Sequence, residues 1–277
     1  MTLTEMTIAD IQRALAEGEL SAREIARRTL DDMAQVNPQI NAWTQITERR
    51  MLAEAAGRAG VRRLVFLSSV KAMGDPGDDC IDETWPVPPA SAYGLAKREA
   101  EAVLLATGER FGMHVVCLRL AMVYGAGGRG NLERMAALVR RGWFPPLPET
   151  GNRRSMVHVA DVVAAMRLVA GDPRAAGRSY IVAHPQTHSG RQLYYALRAA
   201  SGMPPVGWAV PRGVLAAAAR LGDLGSTILR RRMPLDSEAL DRLLGSACYS
   251  PARIERELGW RASVDLADGL RETLHGA

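Results

Sequence analysis

The sequence predicts an α/β fold: a parallel sheet with covering helices and a small C-terminal region, preceded by an all-helical leader. Three observations predict it. Apolar residues recur at helical spacing through the first 55 residues. Short, mainly apolar runs follow residue 62, at 63–70 and 114–124. From there, such runs alternate with helical patterns. Continuous apolar runs suit strands buried on both faces, and strand–helix alternation is the pattern of a parallel sheet.

In the leader, Ile8, Ile11, Ala14 and Leu15 share a helical face and Gly18 stops the run. Ser21 followed by Glu24 is a capping box that opens a helix to about Val36, with Ile25, Leu30 and Met33 on its apolar side. Asn37-Pro38 breaks it, 40–46 reads as extended, and a third helix covers about 48–59. Then come the strand at 63–70, a Gly/Asp/Pro-rich loop at 74–91, and a helix at about 93–111. A strand at 114–124 ends in the glycine-rich turn 125–130, which opens a helix at 131–141. Strands at 155–159 and 179–184 and helices at 161–170 and 190–201 continue the alternation. The 211–232 segment reads as an amphipathic helix with a basic end that packs against the domain.

Composition narrows the function classes. Of 277 residues, 47% are hydrophobic and 23% charged, which excludes a mainly disordered chain. The net charge of +5 is mild, and the basic pairs Arg62–Arg63 and Arg153–Arg154 lack interleaved aromatics. That argues against nucleic acid and for a small polyanionic substrate. Cys80, Cys117 and Cys248 show no CxxC spacing, so neither a disulfide framework nor a thiolate zinc site is expected. Five scattered histidines set up no metal site. The N-terminus lacks a basic-then-apolar leader, and no apolar run reaches the ~18 residues of a membrane span. The expected setting is a reducing cytoplasm.

The chemistry concentrates in Ser69 and, 24 residues later, the run Tyr93-Gly-Leu-Ala-Lys97. Tyr93 and Lys97 stand at i and i+4, on one helix face. A lysine ammonium beside a phenol stabilises the phenolate, and a strand-end serine can bond the same substrate oxygen. Such a set moves a proton during carbinol–ketone interconversion, the step that accompanies hydride transfer.

From about Glu54 onward the chain resembles the extended short-chain dehydrogenase/reductases, in particular NAD-dependent nucleoside-diphosphate-sugar epimerases. The resemblance is carried by VFLSSVKAMG, YGLAK, LRLAMVYGAGGRGN, NRRSMVHVAD and YSPARIERELGW. It implies a partial Rossmann-like sheet with a substrate-binding C-terminal region. It also implies that Ser69, Tyr93 and Lys97 are catalytic, with Tyr93 and Lys97 also touching an NAD or NADP cofactor. Asn131, Leu132, Arg154 and Arg242 are the implied contacts to a UDP-sugar, and a homodimer is the implied assembly. Dehydratases of the family carry an acidic pair where Val70 and Lys71 stand here, so epimerase or reductase chemistry is favoured. Met122 replaces an asparagine that contacts substrate in many relatives.

The cofactor half of the family is expected to be missing. Four strands should precede the Ser69 strand, on the order of 100 residues, and the glycines before it are only Gly18, Gly57 and Gly60. The turn 125–130 fits G-x-G-x-x-G but lies on the substrate side, and Glu149, the acidic residue about 20 further on, sits in a Pro-rich loop. Residues 1–55 resemble instead the N-terminal helices of amidase-signature enzymes, through IADIQRALAEGELSAREIARRTLDDMAQVNPQINAWTQIT, without that family's nucleophile segment. The expectation is therefore a 1–55 leader joined to a 56–277 epimerase-like part. Its function reads as UDP-sugar epimerase or reductase, with an inactive truncated hybrid that retains only sugar-nucleotide binding or an interaction role as the alternative.

Overall fold

The structure, a computed structural model, describes residues 13, 17, 45–128, 131–229 and 237–275. The helices expected at 7–17 and 21–36 thus lie almost wholly outside the described residues; within the first, the Glu17 amide donates to the Arg13 carbonyl at 2.9 Å, an i→i+4 helical bond.

Three parallel strands form the central sheet: β1 (Arg63–Ser69), β3 (His114–Leu120) and β6 (Arg178–Val182), in the order β1-β3-β6. The register runs from Arg63 opposite His114 to Ser69 opposite Leu120, and from Val116 opposite Arg178 to Leu120 opposite Val182. The middle strand is buried on both faces, which is why it reads as an apolar run. On one side Val115 packs with Leu104 of α2 (Ala92–Phe111) and Ala53 of α1 (Gln45–Arg58). On the other, Val116 and Leu118 meet Val162, Ala165 and Val169; α3 is Asn131–Arg140 and this covering helix is α4 (Val159–Gly171). Helices on both faces of a parallel sheet make the Rossmann-like arrangement. Among the described residues, β1 pairs only with β3, so it stands at the edge of the sheet.

Two expectations are corrected. The single strand expected at 114–124 is two. β4 (Met122–Tyr124) leaves the central sheet and pairs in parallel with β5 (Met156–His158). Ala121 is the pivot, its amide still bonded to the Val182 carbonyl at 3.1 Å while the chain beyond it turns to the C-terminal region. That region has its own core, where Leu132, Met135, Leu193, Leu197, Leu240 and Leu270 are buried together. It is completed by α5 (Gly190–Ala200), α6 (Arg212–Leu229), α7 (Ser237–Leu244) and α9 (Leu266–His275), whereas α8 (Ala252–Leu258) packs Ile254 and Leu258 into the core of the central sheet.

The second correction concerns the cysteines. β2 (Cys80–Ile81) pairs in parallel with β7 (Cys248–Tyr249), and a disulfide joins Cys80 to Cys248 across a sequence separation of 168. Spacing along the chain carries no trace of such a bridge, because strand pairing creates it. Cys117 is free and buried, its thiol pushed up to about 12 by burial first and the Glu101 carboxylate second. It stays protonated and inert. At the other end, α1 begins at Gln45, so the last residues of the expected extended piece are helical. No described helix is long and apolar enough to cross a membrane.

Candidate active site

Ser69 closes β1 in an extended conformation, and its Oγ accepts the Lys71 amide at 3.2 Å, starting a 3-10 turn over Val70–Ala72. Helix α2 is capped by Ser91, whose Oγ accepts the Gly94 amide at 3.1 Å. Gly94 explains how the two segments meet. A Cβ there would overlap the Lys71 carbonyl oxygen and come within 2.7 Å of Pro89 Cβ. The missing side chain lets the first turn of α2 press on the turn that follows Ser69. We expect Gly94→Ala to lower stability by about 1–3 kcal/mol in urea denaturation; an unmoved midpoint would show that the 3-10 turn yields freely.

Tyr93 is 54% exposed, so its phenol is open to a ligand. Lys97 Nζ lies 5.8 Å from the Tyr93 ring centroid and 4.9 Å from that of Phe66, and donates to the Leu67 carbonyl at 3.0 Å. The helix therefore places the ammonium beside the phenol, as the i, i+4 spacing requires.

Below this pair lies a network that the sequence reading missed. Glu101, one turn beyond Lys97, is 3% exposed. It accepts the Ser68 hydroxyl, and Arg119 of β3 grips its carboxylate with Nη2 at 2.7 Å and Nε at 3.1 Å. One buried carboxylate thus ties α2 to the strand end that carries Ser69. Its signal was a charged residue in the apolar run Ala100 to Leu105.

On the expected substrate side, Arg154 forms bridges with His188 and with Ala247. Its amide donates to the His188 carbonyl at 3.0 Å, and its Nη1 to the Gly245 carbonyl at 3.1 Å. Burial holds the guanidinium below its usual pKa, yet an arginine remains a cation in this range. Arg153, by contrast, is exposed and donates to the Asp78 carbonyl. Leu132 is buried in the C-terminal core, which leaves its backbone alone for an anion. Asn131 starts α3 and Arg242 lies in α7, but both side chains are outside the described residues. Met122 stands half-buried opposite Met156. Val70 is buried and Lys71 exposed.

The NRRSMVHVAD segment also does structural work. His158 caps α4, its Nδ1 3.4 Å from the Ala160 amide. Asp161 accepts the Ser263 amide at 3.0 Å, the Ser263 hydroxyl at 3.1 Å and the Val264 amide at 3.1 Å.

The glycine turn 125–128 does not fit a dinucleotide. In the turn that follows β4, a Cβ at Gly125 would overlap Val159 Cγ1, and one at Gly128 would overlap Glu133 Oε1. The turn is filled by a valine and a carboxylate, and a carboxylate repels a pyrophosphate. Glu149 is spent on a turn: its Oε1 accepts the Thr150 and Gly151 amides at 3.1 and 3.0 Å, and its Oε2 the Ser189 hydroxyl at 3.1 Å. A cavity of about 280 Å³ lies over the disulfide, bounded by Arg153, Tyr249 and Glu255, and includes none of Ser69, Tyr93 and Lys97. Among the described residues no three His, Cys, Asp or Glu side chains cluster for a metal.

A family model described as the NAD dependent epimerase/dehydratase family matches residues 30–183. The UDP-glucose 4-epimerase of Vibrio cholerae is 29% identical over 227 residues, covering 80% of this chain and 65% of its own length. That of Mycolicibacterium smegmatis is 29% identical over 279 residues, 96% of this chain and 79% of its own. The crystal structure of the Thermus thermophilus UDP-glucose 4-epimerase in complex with NAD superposes with a TM-score of 0.59 at 26% identity, over 83% of this chain and 68% of that one.

Proposed function

Since this chain belongs to the NAD-dependent epimerase/dehydratase family, we propose that it binds a nucleoside-diphosphate sugar, a UDP-sugar, and holds it for proton exchange at a sugar hydroxyl in the manner of a 4-epimerase. The observation that carries this is the exposed Tyr93 with the Lys97 ammonium 5.8 Å from its ring, at the helix start that Gly94 presses against the Ser69 turn.

In this reading Tyr93 takes the hydroxyl proton of the sugar. Lys97 holds its ammonium 5.8 Å from the Tyr93 ring centroid, and the Ser69 hydroxyl bonds the same sugar oxygen. Arg154, already desolvated and aimed by the Gly245 carbonyl, pairs with the diphosphate. Buried Val70 and exposed Lys71 offer no acid for water elimination, which favours epimerase over dehydratase chemistry. Carbon chemistry in this family needs a nicotinamide dinucleotide, which supplies hydride transfer. The glycine turn after β4 offers it no seat. A cytoplasmic homodimer completes the proposal.

A second reading, an idle hybrid that retains only sugar-nucleotide binding, is favoured by the Glu133 carboxylate in the glycine turn. Calorimetric titration with UDP, NAD⁺ and NADP⁺ decides between them. UDP is expected to bind in the micromolar range, and Arg154→Ala to weaken it about tenfold or more. Dinucleotide binding alongside UDP supports the enzyme, UDP alone the idle hybrid. A chain that binds no UDP overturns both.

A further inference from the structure

Helix α6 has two apolar faces. Leu215 and Ala219 are buried in the C-terminal core, as the amphipathic pattern of 211–232 requires. On the opposite side Val214, Ala217, Ala218, Leu221 and Leu224 recur at helical spacing, and all five are exposed, Leu221 at 69%. Two exposed indoles lie close to the N-terminal end of the helix. Trp208 lies just before it, and Trp143, 75% exposed, is carried by a segment bonded to it through the Val210 amide and the Pro146 carbonyl at 3.0 Å.

Exposed arginines flank this face. Arg220 stands one turn from Leu224 on the edge of the stripe, Arg212 begins the helix, and Arg140 and Arg141 precede Trp143; all four are exposed. From 205 to 232 the sequence holds five arginines and a single acid. That acid, Asp223, is turned to α7, where it accepts the Ser237 amide at 3.0 Å and hydroxyl at 2.6 Å.

We propose that this face docks on the surface of an anionic lipid bilayer, with α6 lying in the interface plane. Leucine, valine and tryptophan inserted at the headgroup level and arginines meeting lipid phosphates are what such a surface selects. Charge complementarity favours lipid over a second copy, since a two-fold pairing of this face would set one arginine rim against another. The inference does not depend on the sugar-nucleotide reading.

Flotation of the full-length chain with vesicles tests it. Binding is expected to vesicles of phosphatidylcholine mixed with phosphatidylglycerol, with a blue shift of tryptophan emission and release at high salt. Vesicles of phosphatidylcholine alone should retain about tenfold less protein or lower still. Leu221→Asp with Leu224→Asp changes only exposed side chains, so far-UV circular dichroism should stay unchanged while binding falls about tenfold or more. Failure to bind anionic vesicles at low salt, or equal binding to both kinds, overturns the proposal. So does a concentration-dependent dimer that the same pair of substitutions dissolves without any vesicle binding, which would make the face a protein interface.

Discussion

Replacing Glu101 by Leu is expected to cost about 3–5 kcal/mol of folding free energy. The change removes the partner of a largely buried guanidinium: the Arg119 side chain is 15% exposed, and its Nη2 and Nε both donate to the Glu101 carboxylate. It also leaves the buried Ser68 hydroxyl without its acceptor. The Coulomb attraction of the pair matters less than the stranded charge, so the double variant Glu101→Leu/Arg119→Leu should recover much of the loss. Urea midpoints of the two single variants and the double close the cycle. A single-variant loss below about 1 kcal/mol would mean that water reaches Arg119 and that the network holds nothing in place. Because Ser68 adjoins Ser69, UDP affinity should be compared at full folding, where only the position of the strand end differs.

Opening the Cys80–Cys248 bridge should cost about 2–5 kcal/mol, since it frees a long loop in the unfolded chain. A dithiol reductant attacks one sulfur, forms a mixed disulfide and leaves as the cyclic oxidised form, releasing both thiols. The native chain should melt earlier in reductant, whereas Cys80→Ser should melt early with or without it. Identical melting of native chain and variant would show that the two sulfurs are not joined in solution. The bridge is reinforced by Ser246, whose hydroxyl donates to Asp78 at 2.9 Å, and by the Ser250 amide, which donates to the Ile81 carbonyl at 2.9 Å. Together they hold the loop between Ser69 and Tyr93 against β7 and the segment before it, whose Gly245 carbonyl aims Arg154. UDP affinity should therefore fall on reduction. In a reducing cytoplasm such bridges are uncommon, so a cytoplasmic location would leave this clamp to its hydrogen bonds.

The central elements were legible because each carries a local signature. The 63–69 and 114–120 strands each carry an apolar stretch, Leu64 to Leu67 and Val115 to Leu118, and the helix that begins at Ala92 has its cap in Ser91. Tyr93 and Lys97 could be set side by side because an i, i+4 relation is fixed by the helix itself. What stayed hidden depends on residues far apart. The break at Ala121 arises where β4 leaves one sheet for another, and nothing in the apolar run marks it. Cys80 meets Cys248 through strand pairing, and Glu101 meets Arg119 only once α2 lies on β3. The close approach at Gly94 was likewise invisible, since a glycine in a helix start has several readings until the Lys71 carbonyl is seen against it.

The last turn of chain has a temporal consequence. Ser155 exchanges hydrogen bonds with the backbone of Tyr249, 94 residues downstream, and Asp161 waits for Ser263, 102 residues downstream. A ribosome adds residues at about 5–20 per second, so these polar groups are made on the order of 5–20 s before their partners exist. The sheet can assemble behind the ribosome, but the buried Asp161 carboxylate stays hydrated until the final helices emerge. Completion of the fold is thus a closing event, set by the emergence of residues 249–264 and not by the strands laid down first.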